Sequence, residues 1–184
     1  MQFPLNKNIY NILLMLFFMN LQFYFEKLYA SKEFQDFSKE HKDAYFCSGF
    51  FIIDKESQKT PDDKQHLDFY SPEDKQMWSF QLENNSQLVP VEQTDKRIPE
   101  KIPDNIDFNF DYAEKKILAE MFENKITNKI QKIIWSLQRF ESKDFLIGTV
   151  FISGMGLIKI KINLPNMDVV EFEKKSFMDF LKKA

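Results

Sequence analysis

The sequence offers few thiol or imidazole groups for catalysis: one cysteine, Cys47, and two histidines, His41 and His66. Cys47 lies in the apolar run from Tyr45 to Phe51, where a lone cysteine is typically a small buried hydrophobic residue. No spacing among the three residues is typical of a zinc site or a Cys–His dyad. The sequence therefore predicts no catalytic residue, no cofactor site and no metal site. We expect a protein that is not an enzyme.

Two further patterns suggest ligand chemistry at first sight. The segment Gly154 to Gly156 is not followed by a helix that could hold an anion at its N-terminus, so it predicts a turn rather than a phosphate loop. A cluster of oxygen-bearing side chains lacks the central Gly and terminal Glu of a calcium loop, which favours a solvated linker ending in a helix cap. This cluster consists of Asp104, Asp107, Asn109 and Asp111.

The charge distribution argues against nucleic-acid binding. The 25 basic and 28 acidic residues are mixed along the chain and leave a net charge of −3. Nucleic-acid binding needs a basic stripe and commonly uses arginine, but Arg97 and Arg139 are the only arginines here. We therefore expect no nucleic-acid partner.

The N-terminal segment, residues 1–27, is unusually apolar, with no charge from Asn8 to Phe25. Three interpretations stay open: a helix packed on the domain or on a partner, a membrane anchor, and a cleaved signal peptide. Membrane contact would run through residues 9–25. We expect a cytoplasmic protein, with a membrane-tethered or exported form as the alternative, and we expect residues 1–25 to be dispensable for folding.

Hydrophobic periodicity divides the rest of the chain into two similar halves. Each half is predicted to contain a helix followed by four strands. In the first half the helix is Leu28 to Lys42, and the strands are Ala44 to Asp54, Gln65 to Tyr70, Gln76 to Glu83 and Gln87 to Glu92.

The second half repeats this order after a proline-containing linker, residues 94–110. Asp111 with Glu114 is typical of a capping box at the start of its helix. In the strand Leu157 to Leu164, isoleucines alternate with lysines, which predicts an inward face of Ile158, Ile160, Ile162 and Leu164. The helix runs to Ile126, the strands are Gln131 to Glu141, Lys143 to Ser153, Leu157 to Leu164 and Val169 to Phe172, and a short helix follows Ser176.

A helix followed by an antiparallel meander resembles the cystatin-like and PepSY-type α+β modules. The resemblance is carried by Lys132 to Leu137, Phe145 to Ile152, and Ile158 to Asn163 turning into Val169 to Glu171. Where PepSY modules have an Asp and a Gly-containing turn, this chain has Asn163 followed by Pro165-Asn166-Met167. The resemblance implies a non-catalytic module that regulates peptidases or other partners.

The predicted fold class is therefore α+β, with two tandem helix-plus-antiparallel-sheet units of cystatin or PepSY type and an extra hydrophobic N-terminal helix. The expected domains are residues 1–27, a first unit at 28–93, the linker at 94–110 and a second unit at 111–184. The repeated order of elements indicates an internal repeat.

Three functional hypotheses follow from this organisation. The first is a module that binds a protein or peptide partner, with strand addition at a sheet edge as one mode. The second is a small-ligand-binding protein of the same fold, and the third is an enzyme whose residues are not recognisable. Trp78 and Trp135 occupy corresponding strand positions; core packing is the default for both, and they would form the partner patch if one sheet face is open.

Overall fold

The computed structural model describes residues 20–57, 59–92 and 97–176. Within these ranges three short helices accompany eight strands. The helices are α1 (Leu21–Tyr29), α2 (Lys32–Glu40) and α3 (Phe110–Glu123), and a single 3-10 turn covers Leu82–Asn84. The strands are β1 (Tyr45–Asp54), β2 (Lys64–Ser71), β3 (Gln76–Gln81), β4 (Gln87–Val91), β5 (Ile130–Phe140), β6 (Lys143–Ile152), β7 (Gly156–Asn163) and β8 (Asp168–Ser176).

All eight strands form one antiparallel sheet, in the order β4-β3-β2-β1-β5-β6-β7-β8. The two halves meet where β1 pairs with β5, in a register that runs from Ser48 opposite Gln138 to Asp54 opposite Lys132. The prediction of two tandem helix-plus-sheet units of cystatin or PepSY type is therefore wrong. Separate units would leave the edges of β1 and β5 unpaired, and pairing them removes two exposed edges from the molecule.

The three helices bury their apolar side chains against one face of this sheet. Tyr24 of α1 and Phe110 of α3 both contact Phe51 of β1, with ring centroids 5.5 and 4.8 Å apart. Phe37 of α2 packs edge-on against Phe80 of β3 at 5.2 Å. One continuous core thus joins helices and strands from both halves.

The single helix predicted from Leu28 to Lys42 is wrong, because two helices meet within it. Ser31 caps α2 by accepting a hydrogen bond from Phe34 N at 3.2 Å, and its hydroxyl also donates to Leu28 O at 2.6 Å. Serine at a cap position competes with helix continuation through these local bonds. The chain therefore turns at Ala30 and Ser31 instead of continuing.

Helix α1 lies at the end of the predicted N-terminal segment, whose first 19 residues are outside the described ranges. Leu21, Tyr24 and Phe25 are 0%, 7% and 2% exposed and belong to the core. The burial of these three residues argues against the expectation that residues 1–25 are dispensable for folding. No helix in the described part of the chain has the length and apolarity needed to cross a membrane.

A β-bulge at Cys47 determines which side chains of β1 reach the core. Phe46 lies opposite Phe69, and Ser48 lies opposite Asp68, so Cys47 is the extra residue. Side chains alternate along a strand, and without a bulge Phe46 and Phe51 would point to opposite faces. The bulge allows both phenylalanines to pack against the helices.

The alternation predicted for β7 is confirmed: Ile158, Ile160 and Ile162 are 0–1% exposed, whereas Lys159 is exposed. The described part of the predicted linker also reaches the core, since Ile102 is fully buried and donates its backbone N–H to Phe46 O at 2.9 Å. The short helix predicted after Ser176 lies outside the described residues.

Candidate functional site

The face of the sheet opposite the three helices, here called the open face, has none of the described helices packed on it. Residues that are paired across neighbouring strands point to the same face, so the strand register assigns each side chain to one face of the sheet. The apolar side chains of the open face are partly exposed and lie on several neighbouring strands. They include Phe50, Ile52, Ile134, Ile147 and Phe151. A partly exposed apolar sheet face is a candidate contact surface.

A row of polar side chains crosses the centre of the open face. Ser79, Asp68, Ser48 and Gln138 lie opposite one another on β3, β2, β1 and β5. The Ser48 hydroxyl donates to Asp68 Oδ2 at 2.6 Å, and the Ser79 hydroxyl, on the neighbouring strand β3, also favours the ionised form of this carboxyl. We call these four residues the polar row.

An open groove of about 660 Å³ adjoins the polar row, at the start of β1 and the end of β5. Ser48 and Gln138 of the polar row line it, together with Cys47 and Met77. The segment from Arg97 to Glu100 forms one wall and is held in place by a hydrogen bond from Tyr45 Oη to Pro99 O at 2.8 Å. The groove therefore joins an apolar surface to a set of hydrogen-bonding groups.

Acidic side chains outnumber basic ones around the groove. Glu92, Glu100 and Glu141 line it, together with both arginines of the chain. Arg139 is already engaged, because its Nη1 lies 2.9 Å from both carboxylate oxygens of Asp144. This charge-assisted contact, together with Arg139 Nε 3.8 Å from Glu100 Oε2, holds the arginine in place and compensates its charge. The rim is thus better suited to a cationic ligand than to an anionic one.

The Cys47 thiol lies at the groove but is not an activated nucleophile. It is 4% exposed and donates to Asp68 O at 3.4 Å. Burial, followed by the nearby Asp68 charge, raises the pKa of the Cys47 thiol to about 12, although hydrogen bonds from Ser48 oppose this. Nucleophilic cysteines need the thiolate, and this environment disfavours it.

We expect Cys47 to react with a disulfide reagent at pH 8 on the order of a thousandfold more slowly in the native protein than in denaturant. A thiol of pKa about 12 is far less ionised at pH 8 than a free cysteine of pKa ~8.5. Stopped-flow absorbance with Ellman's reagent measures the rate, and Cys47→Ser provides the zero-signal control. A native rate close to that of the denatured chain would instead identify a reactive thiol.

The two histidines are each paired with a carboxylate and do not hydrogen bond to Cys47. His41 Nδ1 lies 2.7 Å from Asp74 Oδ2, which also accepts from Ser71 Oγ at 2.8 Å. His66 Nε2 lies 2.9 Å from Glu83 Oε1. In the Ser71–Asp74–His41 chain the carboxylate is central, so the histidine cannot take a proton from the serine as in a catalytic triad. The described residues contain no group of three ligands able to hold a metal ion.

The two tryptophans of the predicted partner patch lie on the helix side of the sheet. Trp135 is fully buried, and an added Cβ at Gly148 would come within 2.5 Å of its ring. Trp78 is half-buried, with its ring centroid 6.2 Å from Phe37 and 5.3 Å from His41. Trp135 is packed in the core, as the default prediction had it, and has no exposed surface for a partner. A patch role stays a prediction for Trp78 alone.

The acidic cluster of the predicted linker has structural contacts. Asn109, rather than Asp111, caps α3 by accepting from Tyr112 N at 2.9 Å. Asp107 accepts from Gln22 N at 3.2 Å and so links the linker to α1. Gly154 adopts a φ of +80° in the β6–β7 turn, consistent with the predicted turn at Gly154 to Gly156.

The polar row was missed by sequence reasoning, although one signal was present. Asp68 lies in the middle of a strand that was correctly predicted, and aspartate is depleted in strands. Ser48 and Gln138 carry no such signal individually. Their convergence depends on the bulge at Cys47 and on the pairing of β1 with β5.

Comparison with known proteins supports the fold but no finer identity. No protein-family model matches the chain, and no curated protein matches it. A crystal structure of a predicted lipoprotein from Clostridium difficile 630 is similar, with a TM-score of 0.51 and 14% sequence identity over 78% of this chain and 90% of that one. This similarity extends to the antiparallel-sheet fold, and neither PepSY nor cystatin membership has support from a family model.

Proposed function

We propose that this chain is a non-catalytic binding module of an exported or membrane-attached protein, and that it holds an extended peptide segment of a partner in the groove of the open face. The observation that carries the proposal is the groove itself, which adjoins partly exposed apolar side chains and the polar row. A regulatory role toward a peptidase, implied by the resemblance to PepSY modules, is the finer form of this proposal.

The shape of the groove favours an extended segment over an enclosed small molecule. Its volume of about 660 Å³ lies within the usual range for ligand pockets, but it is open to solvent along one side. Pockets for small molecules commonly bury 70–90% or more of their ligand. An extended chain needs less enclosure, because it gains contact along its length and can continue over Phe50 and Ile134.

The location outside the cytoplasm is supported by fold similarity. The similar crystal structure is that of a predicted lipoprotein, and the two chains share their fold over most of their lengths. The uncharged residues from Asn8 to Met19, which precede α1 in the sequence, fit an exported or membrane-attached protein as well.

The proposal is tested by selecting displayed random peptides on the folded full-length chain and mapping the best binders by NMR. We expect amide shifts at Ser48, Met77 and Gln138. Gln138→Trp should fill part of the groove and weaken binding by tenfold or more, since a steric block removes contacts throughout the bound segment. Thr149→Trp is the matched control, because Thr149 lies on the same face but does not line the groove.

Other outcomes identify the rival functions. Shifts confined to β8 would indicate strand addition at that edge, which unlike the β4 edge contains no proline to block pairing. Selected peptides whose binding is equally unaffected by Gln138→Trp and Thr149→Trp would overturn the groove as the binding site.

A further inference from the structure

Asp68 is a carboxylate placed at the centre of the open face, and its charge is not balanced. It lies on β2 between Ser79 of β3 and Ser48 of β1, and it is partly exposed on the side away from the helices. Ser48 donates a hydrogen bond to it that is only 2.6 Å long, and the Ser79 hydroxyl also favours its ionised form. Hydroxyl groups satisfy its lone pairs but bring no positive charge.

No described residue forms an ion pair with Asp68. The nearest candidate is His66, two residues earlier on the same strand face, but its Nε2 is engaged by Glu83 at 2.9 Å. Glu83 Oε2 also accepts from Gln65 N at 3.1 Å, which holds the Glu83 carboxylate in place beside His66. Asp68 therefore keeps a largely uncompensated charge when it is ionised, a costly arrangement for a half-buried carboxylate.

The titration behaviour of Asp68 agrees with this geometry. Burial raises the pKa of the Asp68 carboxyl above its ordinary value, although the hydroxyls of Ser48 and Ser79 and the nearby His66 act in the opposite direction. A raised folded-state pKa means that stability is lost as pH rises through that value. Ionised Asp68 thus makes the ligand-free protein less stable than a neutral residue would.

We propose that Asp68 anchors a positively charged group of the groove's ligand, an alkylammonium or guanidinium, which donates to Asp68 beside the Ser48 hydroxyl. This inference rests on the proposed function, because it names the chemistry that the same groove selects. Ser48 lines the groove and holds Asp68 Oδ2, so a side chain that enters beside Ser48 meets the carboxylate. Glu92 and Glu141 at the groove attract the same charge, whereas Glu100 is already paired with Arg139.

The simpler explanation is that the Ser48–Asp68–Ser79 contact only ties three strands together. The two explanations predict different consequences of Asp68→Asn, in which the amide keeps one acceptor and can donate to a serine hydroxyl. If Asp68 is an anchor, the substitution should leave the melting temperature at pH 7 unchanged or higher and should weaken cation binding. If Asp68 has only a structural role, Asp68→Asn should lower the melting temperature and leave ligand binding unchanged.

The experiment uses full-length protein and three probes in NMR titrations: a capped five-residue peptide with a central lysine, the same peptide with that lysine acetylated, and spermidine. We expect the lysine peptide to shift the Asp68 and Ser48 amides and to bind about tenfold or more tightly than its acetylated form. Asp68→Asn should remove that preference. Glu171→Gln, which removes one negative charge from the same face on β8, should retain it.

The probes distinguish the sources of the cation. A preference for the peptide over spermidine indicates a partner segment, and the reverse indicates a free polyamine; either supports the anchor. The anchor proposal would be overturned by the wild-type measurements alone if the lysine and acetyl-lysine peptides bind equally and spermidine causes no shift at Asp68. If selected peptides still occupy the groove in that case, the proposed function stands and only the anchor fails.

Discussion

A chain that begins at Phe25 should lose cooperative thermal unfolding, whereas a chain that begins at Asn20 should keep it. The shorter chain lacks Leu21 and Tyr24, which are 0% and 7% exposed in the core. It also lacks Asn20, whose side chain accepts from Phe23 N at 3.0 Å and caps α1. Removing a large buried side chain costs about 2–5 kcal/mol, and losing a cap about 1 kcal/mol. Together these losses approach the ~5–15 kcal/mol that stabilises a typical domain.

Circular dichroism melting and the dispersion of NMR amide signals measure the outcome. The chain from Asn20 is the matched control, because it retains every described contact of α1, including Leu21 N to Phe108 O at 3.1 Å. A sharp transition in the chain from Phe25, at a midpoint near that of the control, would show that α1 is not required for the fold.

The sequence contains the amphipathic spacing of α1, but the uncharged run that overlaps it favoured a different interpretation. Leu21, Tyr24, Phe25 and Leu28 recur at the three- and four-residue spacing of an amphipathic helix, and all four are buried. The uncharged run from Asn8 to Phe25 favours a separate apolar segment, and this interpretation placed a boundary through the helix. Mean apolarity alone does not distinguish an anchor from a core helix.

The strands were predicted to within a few residues, because alternation along a strand is a local property of the sequence. Ile158, Ile160 and Ile162 illustrate this: their inward face could be derived from three positions and two intervening lysines. The pairing of β1 with β5 has no such local signature. Ile52 and Ile134 face each other across about 80 residues of chain, and nothing near either one specifies the partner.

Of the candidate site, only the burial of Cys47 could be predicted from the sequence. The apolar run around Cys47 correctly predicted a buried cysteine, which lies at the bulge of β1. The site at Ser48, Asp68 and Gln138 forms only when three strands that are distant in sequence lie side by side. The bulge shifts Ser48 into line with Asp68, and a bulge of this kind depends on packing in the folded sheet.

Ile160→Ala should lower the midpoint of a single unfolding transition that is shared by both halves of the chain. Ile160 is 1% exposed and lies opposite Gly148, where an added Cβ would meet Ile160 Cγ2 at 2.6 Å and the Trp135 ring at 2.5 Å. Its side chain therefore helps to enclose Trp135 in the centre of the core. Truncation of a buried isoleucine to alanine costs about 2–5 kcal/mol, depending on how far the site can collapse.

The shared transition can be measured by fluorescence in two single-tryptophan proteins, Trp135→Phe and Trp78→Phe, which report from opposite halves of the sheet. In each background Ile160→Ala should shift the guanidinium midpoint by a similar free energy, because the β1–β5 pairing and the common core couple the halves. Lys159→Ala is the matched control, since Lys159 is exposed on the same strand and its loss should change stability by about 0.5 kcal/mol or less. Two separate transitions, with a shift only in the protein that retains Trp135, would show that the eight-stranded sheet unfolds in two independent parts.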